Sequence, residues 1–184
     1  NSLKANILNE TFNNKILKKK TLINSVSLNS KEVKKNSVFF GVKGQKFDGN
    51  KFGINAIKNN AVLAITNKKS KNSRNIFSKN PLEKLNEFSF VYRKSLDGNN
   101  IAITGSAGKT SVKDLTGFCL NKLDKTYYSK KSFNNKFGVP LSIINSPQSI
   151  KFSVLEVGMD KKGEINTLTK LIRPNLGLIT NISY

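Results

Sequence analysis

NIAITGSAGKTS, residues 100–111, runs from an apolar strand through two glycines into Lys109, Thr110 and Ser111. A strand, a glycine-bearing turn and then a helix is the context a phosphate-binding loop needs. Gly105 and Gly108 allow the backbone to come close to a ligand, with Ser106 and Ala107 between them. The exposed amides then face phosphate oxygens at a helix N-terminus. Lys109 is placed to reach the β- and γ-phosphates of ATP, Thr110 to put its hydroxyl on Mg²⁺, and Ser111 to add a hydrogen bond. Ile103 stands where the general pattern has glycine, so the loop reads TG-x-x-GKT. The plainer alternative is a glycine turn with a solvated lysine.

Outward from this loop, residues 98–184 have a regular rhythm. A helix is expected from Lys109 to Leu123, a short strand at Thr126 to Tyr128 and a helix with Pro140 in its first turn. A strand at Phe152 to Val157, a helix from Glu164 to Ile172 and a strand at Leu176 to Ile182 follow. Strands alternating with helices predict a parallel sheet covered on both faces. Cys119 falls inside the helix after the loop and is expected to pack against the sheet, with no redox role. The rhythm stops just after the last strand, so the second domain is expected to be cut short, and the absence of an initial Met suggests a partial or processed chain.

Residues 1–97 read as a smaller α/β unit. The pattern predicts a helix over 3–17, strands at Leu22 to Leu28 and Val38 to Val42, a helix from Phe52 to Asn60 and a strand at Ala61 to Thr66. Residues 67–80 read as a loop, Phe88 to Val91 as a strand, and 95–100 as a turn and linker. The fold class is therefore α/β: a small N-terminal domain over 1–97, then the first part of a parallel-sheet, phosphate-loop ATPase domain over 98–184.

Composition excludes several classes. The 184 residues include no His, no Trp and one Cys, which removes imidazole catalysis, an ordinary zinc site and an intrachain disulfide from this stretch. No apolar run is long enough to span a bilayer, and the first residues lack a signal-peptide core. A cytoplasmic location is expected. The net charge is +21, yet Lys and Arg are dispersed and asparagine occurs 26 times. Without a dense basic arm or interleaved aromatics, nucleic-acid binding is not expected, and compositional drift competes with function as the source of the charge.

Two further features sit near the loop. Glu156 ends the strand SVLEV, where open parallel sheets place their chemistry, and could bind Mg²⁺ directly or through water. A strand-end carboxylate paired with a surface lysine is the alternative. In SFNNKFGVP, residues 132–140, Asn134 and Asn135 stand side by side and could orient polar substrate groups or simply form a turn.

Together TGSAGKTS, SFNNKFGVP, LEVGM, GEI and PNLGLITNI resemble, in that order, the central ATPase domain of the Mur ligases. SLNSKEVKKNSVFFGVKGQKFDGNKF, residues 27–52, is similar to the family's N-terminal domain, with Asn29, Ser30 and Lys31 at its D-S-R triplet and Asn50 at the histidine of G-x-x-x-D-G-H. Lys131 and Ser132 occupy the positions of its usual G-N. The double-Asn loop and E-x-G point to the branch that adds D-alanyl-D-alanine. The resemblance implies an ATP-dependent amide ligase of peptidoglycan precursor synthesis, with ATP and Mg²⁺ as cofactors. Its substrates would be UDP-N-acetylmuramoyl-tripeptide and D-alanyl-D-alanine. It implies Lys109 and Glu156 as catalytic groups, Thr110 and Glu156 as metal ligands, and residues 105–111 around the nucleotide. Ser30, Lys31, Lys43, Gly44, Phe47, Asp48, Gly49, Asn134 and Asn135 would contact substrate. A sister ligase adding one amino acid and a non-catalytic nucleotide-binding remnant remain alternatives. The 184 residues alone are expected to release no phosphate when given all substrates.

Overall fold

A computed structural model describes residues 2–13, 15–18, 20–45, 47–129 and 131–183. The chain divides into two compact units, Asn1–Phe88 and Ser89–Tyr184.

The first unit opens with α1 (Ser2–Thr11), shorter than the expected 3–17. Asn13 enters the left-handed region at φ 48°, and the Asn9 amide then exchanges two hydrogen bonds with the backbone of Leu17 at 2.8 and 2.9 Å. These contacts replace a continued helix with a turn-back. Asn14, inside the expected helix, lies outside the described residues. Strands β1 (Ser25–Ser27), β2 (Ser37–Phe40), β3 (Ala61–Thr66) and β4 (Asn75–Phe77) form one parallel sheet in that order. A 3₁₀ turn (Gly49–Phe52) leads into α2 (Gly53–Lys58), which packs Ala56 and Ile57 on Phe39, Ala61 and Ala64.

Two expectations need correction here. The stretch 67–80 is not all loop. It contains β4, a three-residue edge strand whose Asn75 side chain bonds Thr66 Oγ1 at 3.1 Å. Its three residues, Asn-Ile-Phe, are too few to announce a strand. Phe88 to Val91 is not a strand either, but lies within α3 (Pro81–Lys94). The local FSFV alternation hides a helical stripe, with Leu85, Phe88 and Tyr92 buried at spacings of three and four. Asn80 before Pro81 supplies the start signal, its Oδ1 accepting the Glu83 amide at 3.3 Å. The division between units falls inside α3.

The second unit follows the expected element order. It contains β5 (Asn99–Thr104), α4 (Lys109–Leu123), β6 (Thr126–Tyr128), α5 (Gly138–Asn145), β7 (Phe152–Glu156), α6 (Glu164–Ile172) and β8 (Leu176–Ile179). The sheet is parallel with order β6-β7-β5-β8. Ile101, Ile103 and Val154 form its centre, with Val112 and Leu120 of α4 packed against them. From β5 the chain first moves to β6 and β7 on one side, then to β8 on the other. The order reverses beside β5, and a crevice opens at the carboxyl ends there. Arg93 donates to the carbonyls of Ile172, Leu96 and Arg173 at 2.7, 2.9 and 3.3 Å, satisfying the end of α6 where the helix dipole is negative.

Cys119 does not pack on the sheet; it is exposed. Lys113 and Gly117 are the buried residues of α4, so Cys119, two positions beyond Gly117, faces away. No helix among the described residues is long and apolar enough to cross a membrane.

Burial in α1 pushes the Lys4 ammonium down from its ordinary 10.5 to about 8. Below pH 8 the folded chain must charge a buried amine, a cost of about 3 kcal/mol. As pH rises from 8 toward 10.5, the folded state sheds this proton before the unfolded state does, and the cost is relieved. Burial holds Tyr92 and Tyr127 up at about 12, which opposes the trend above pH 10. Lys4→Met should therefore be more stable than wild type at pH 7 by up to about 3 kcal/mol, with the gap closing between pH 8 and 10.5 in urea titrations.

Candidate functional site

The loop after β5 is shaped by its two glycines. Gly105 has φ 141°, and a Cβ there would come within 2.1 Å of Thr180 Oγ1. Gly108, at φ 78°, would project its Cβ into open space, with nothing within 4 Å. That space lies over the start of α4, whose first-turn amides have no intrahelical acceptor. Lys109 folds back across the loop, donating from Nζ to the carbonyls of Gly105 and Ser106.

The segment after β8 splints the loop from beneath. Asn181 accepts the Ser106 amide through its carbonyl at 3.0 Å and the Ala107 amide through Oδ1 at 2.9 Å. Thr180 Oγ1 donates to the Ala107 carbonyl at 2.6 Å. Sequence reasoning gave Thr180 and Asn181 no role in the site. Their signal is a pair of short polar side chains directly after an apolar strand.

Glu156 is delivered by strand register. It pairs with Ile103 across β7 and β5, two residues before Gly105. Its carboxylate is 2 % exposed and points at the loop: Oε2 accepts Thr110 Oγ1 at 2.9 Å and Oε1 accepts Asn134 Nδ2 at 2.9 Å. Thr110 Oγ1 lies 3.1 Å from Ser132 Oγ, which adds a hydroxyl that sequence reasoning did not single out. Among the described residues no ion pair reaches Glu156. The alternative of a surface-lysine partner is not what the described residues show. Its hydrogen-bond donors among the described residues are neutral, and a cation beside it would offset the cost of burying a carboxylate.

The two adjacent asparagines separate in role. Asn134 holds Glu156, and its carbonyl accepts the Gly158 amide at 2.6 Å. Asn135 Oδ1 accepts the amides of Phe137 and Gly138, both at 3.0 Å, and so turns the chain into α5. No group of three or more His, Cys, Asp or Glu side chains gathers among the described residues. The donor set is one carboxylate and hydroxyls, all oxygen, which suits Mg²⁺ held mainly by phosphate and water.

In the first unit, Lys43, Gly44, Phe47, Asp48 and Gly49 share one tight turn. The backbones of Lys43 and Asp48 form an isolated antiparallel bridge, the Gly44 amide donates to the Phe47 carbonyl at 2.9 Å, and the Gly49 amide donates to the Val42 carbonyl at 2.9 Å. Phe47 projects from it, 77 % exposed. Lys46 lies outside the described residues. Asn50 is buried behind: its Nδ2 donates to Asp48 Oδ1 at 2.7 Å and its Oδ1 accepts the Asn67 amide at 2.7 Å. The Asn50 side-chain and backbone donors hold the Asp48 carboxyl below the usual carboxylate range. Ser30 and Lys31 are not part of this cluster. The Ser30 carbonyl accepts Asn59 Nδ2 at 2.9 Å, just past the C-terminal end of α2, whereas Gly49 precedes its N-terminal end.

Two family profiles match the chain: one described as the Mur ligase middle domain over residues 103–184, the other as the Mur ligase family catalytic domain over residues 22–95. The UDP-N-acetylmuramoyl-tripeptide–D-alanyl-D-alanine ligase of Haemophilus influenzae is 29% identical over 167 residues, covering 88% of this chain and 36% of that protein. The chain thus spans little more than a third of the length of such relatives. The crystal structure of MurF from Acinetobacter baumannii superposes with a TM-score of 0.85 at 24% identity, covering 97% of this chain and 41% of that one. MurF ligase from Thermotoga maritima in complex with ADP gives 0.77 at 30% identity, covering 90% and 39%.

The separated roles of Asn134 and Asn135 can be checked by stability. Asn135→Ala should lower unfolding free energy by about 1 kcal/mol, the usual worth of such a side-chain cap, in urea titrations.

Proposed function

The chain belongs to the Mur ligase family, and from that premise we propose that it serves an ATP-dependent amide ligase adding D-alanyl-D-alanine to UDP-N-acetylmuramoyl-tripeptide. The observation that carries this reading is the 2.9 Å contact between Thr110 and the buried Glu156 at the mouth of a phosphate-loop crevice. A ligase of this kind must bring two anions together, a γ-phosphate and a carboxylate. The tripeptide's terminal carboxylate takes the γ-phosphoryl group, giving an acyl phosphate and ADP. The dipeptide amine then attacks the acyl carbon, loses a proton, and the tetrahedral intermediate expels phosphate.

The residues of the candidate site have distinct roles in that scheme. The amides of the Gly105–Thr110 loop cradle the phosphates. Lys109 exchanges its carbonyl partners for phosphate oxygens, which it neutralises as a point charge. Thr110 and Glu156 would hold Mg²⁺, which when bound draws charge from the phosphate oxygens. Asn134 keeps the Glu156 carboxylate aimed at the loop, and Ser132 offers a second hydroxyl to the same pocket. In the first unit, the Lys43–Gly49 turn is the candidate holder of the uridine diphosphate end. Phe47 offers an apolar face there, and Lys43 a cation.

Phosphate release by the complete polypeptide, supplied with ATP, UDP-N-acetylmuramoyl-tripeptide and D-alanyl-D-alanine, tests the reading. Lys109→Ala should lower it at least about a hundred-fold, and single amino acids should not replace the dipeptide. Unchanged turnover in Lys109→Ala, or equal use of a single amino acid, would count against it.

A further inference from the structure

Lys113 is the least expected charge in the second unit. Its side chain is 0% exposed, although it carries an ammonium. Burying such a group is costly unless its donors are used. Nζ donates to the Ser129 carbonyl and lies 3.1 Å from Asp114 Oδ1, whose side chain is 53% exposed. Ser129 is itself buried, and its hydroxyl donates to the Lys131 carbonyl at 2.6 Å. Ser129 is the residue at which the chain leaves β6 for the loop bearing Ser132 and Asn134.

Thr110 and Lys113 are three residues apart in α4 and so share a face. Thr110 meets Ser132 and Glu156, while Lys113 meets Ser129. One helix face thereby holds the loop at its root and again at Ser132. The far end is held by Asn134, through Glu156 and Gly158.

We propose that Lys113 is a positioning residue whose buried ammonium anchors the root of the 129–135 loop, so that Ser132 and Asn134 are presented correctly to Thr110 and Glu156. The inference rests on the reading of that pocket as a Mg²⁺ site. Lys113 touches neither nucleotide nor metal in this account; it acts through the loop.

The test titrates the protein with ADP, with and without Mg²⁺, by calorimetry, and follows amide exchange by NMR. Lys113→Met keeps the volume and removes the donor. ADP affinity without Mg²⁺ should stay within about two-fold of wild type, because the partners of Lys113, Ser129 and Asp114, lie outside the Gly105–Thr110 loop. Mg²⁺ affinity of the ADP-bound protein should fall about ten-fold, as for loss of an outer support of a metal site. The Gly158 amide, bonded to Asn134, should exchange faster, while the neighbouring Val157 amide, bonded to Ile103 at 2.8 Å, should not. Wild-type Mg²⁺ affinity in Lys113→Met overturns the proposal. So does joint loss of Mg²⁺-free ADP affinity and Val157 protection, which would mean general loosening. A wild-type protein whose ADP binding ignores Mg²⁺ overturns the metal reading itself, and the anchor role with it. If Lys113→Met does not fold, Lys113→Arg serves, since its larger fork cannot enter the same buried slot without moving Ser129. A loss of about three-fold in Mg²⁺ affinity is then expected, and an unchanged value overturns the proposal.

Discussion

The candidate site depends on one buried carboxylate. Glu156 ends a central strand, almost wholly out of water, and among the described residues it is met by a hydroxyl and an amide rather than by a cation. Two neutral hydrogen bonds orient it but do not cancel its charge. A residue arranged in this way is poorly explained as a stabilising ion pair. It is well explained as half of a binding site whose other half is positive. The surrounding groups follow from that constraint. β7 must run beside β5 so that Glu156 arrives next to the glycine loop. α4 must start at Lys109 so that Thr110 faces the carboxylate. The 129–135 loop must cross back to supply Asn134.

Much of this was legible because the second unit is locally consistent. Apolar strands, a glycine turn and an amphipathic helix all agree on the same fold, and α4, β6 and α6 begin where the residues indicate. The carboxyl-edge position of Glu156 follows from strand polarity alone. The first unit is less readable. β4 is held by pairing with β3 and not by its own composition, and the α3 stripe is masked by a local alternation. Both are cases of tertiary context deciding what a short window cannot.

Within the site, the residues that escaped notice share a property. Thr180, Asn181 and Ser132 act through hydrogen bonds to backbone or hydroxyl groups. In a chain with 26 asparagines, such a side chain carries no distinguishing signal. The same background obscured the contrast between Asn134 and Asn135. One holds a carboxylate and the other turns the chain into a helix, a difference set by where the preceding loop is anchored and invisible in the dipeptide. Asn50 shows the converse. As a replacement for histidine in the family pattern it looks like a loss, yet it fills a buried position and bonds both Asp48 and the Asn67 amide.

The placement of opposite charges completes the argument. Among its described residues the second unit buries the ammonium of Lys113 and the carboxylate of Glu156 and does not pair them with each other. Each is instead tied to the same loop, Lys113 at its root and Glu156 through Asn134. A direct pair would have lowered the desolvation cost of both ions. It would also have spent the negative charge on a fixed lysine, leaving nothing for a metal beside the phosphate loop. Sending the lysine to a backbone carbonyl and a half-exposed aspartate satisfies the ammonium while the carboxylate stays open to a cation. The cost of two separately buried ions is a reason to read this corner of the fold as built for binding and not for stability.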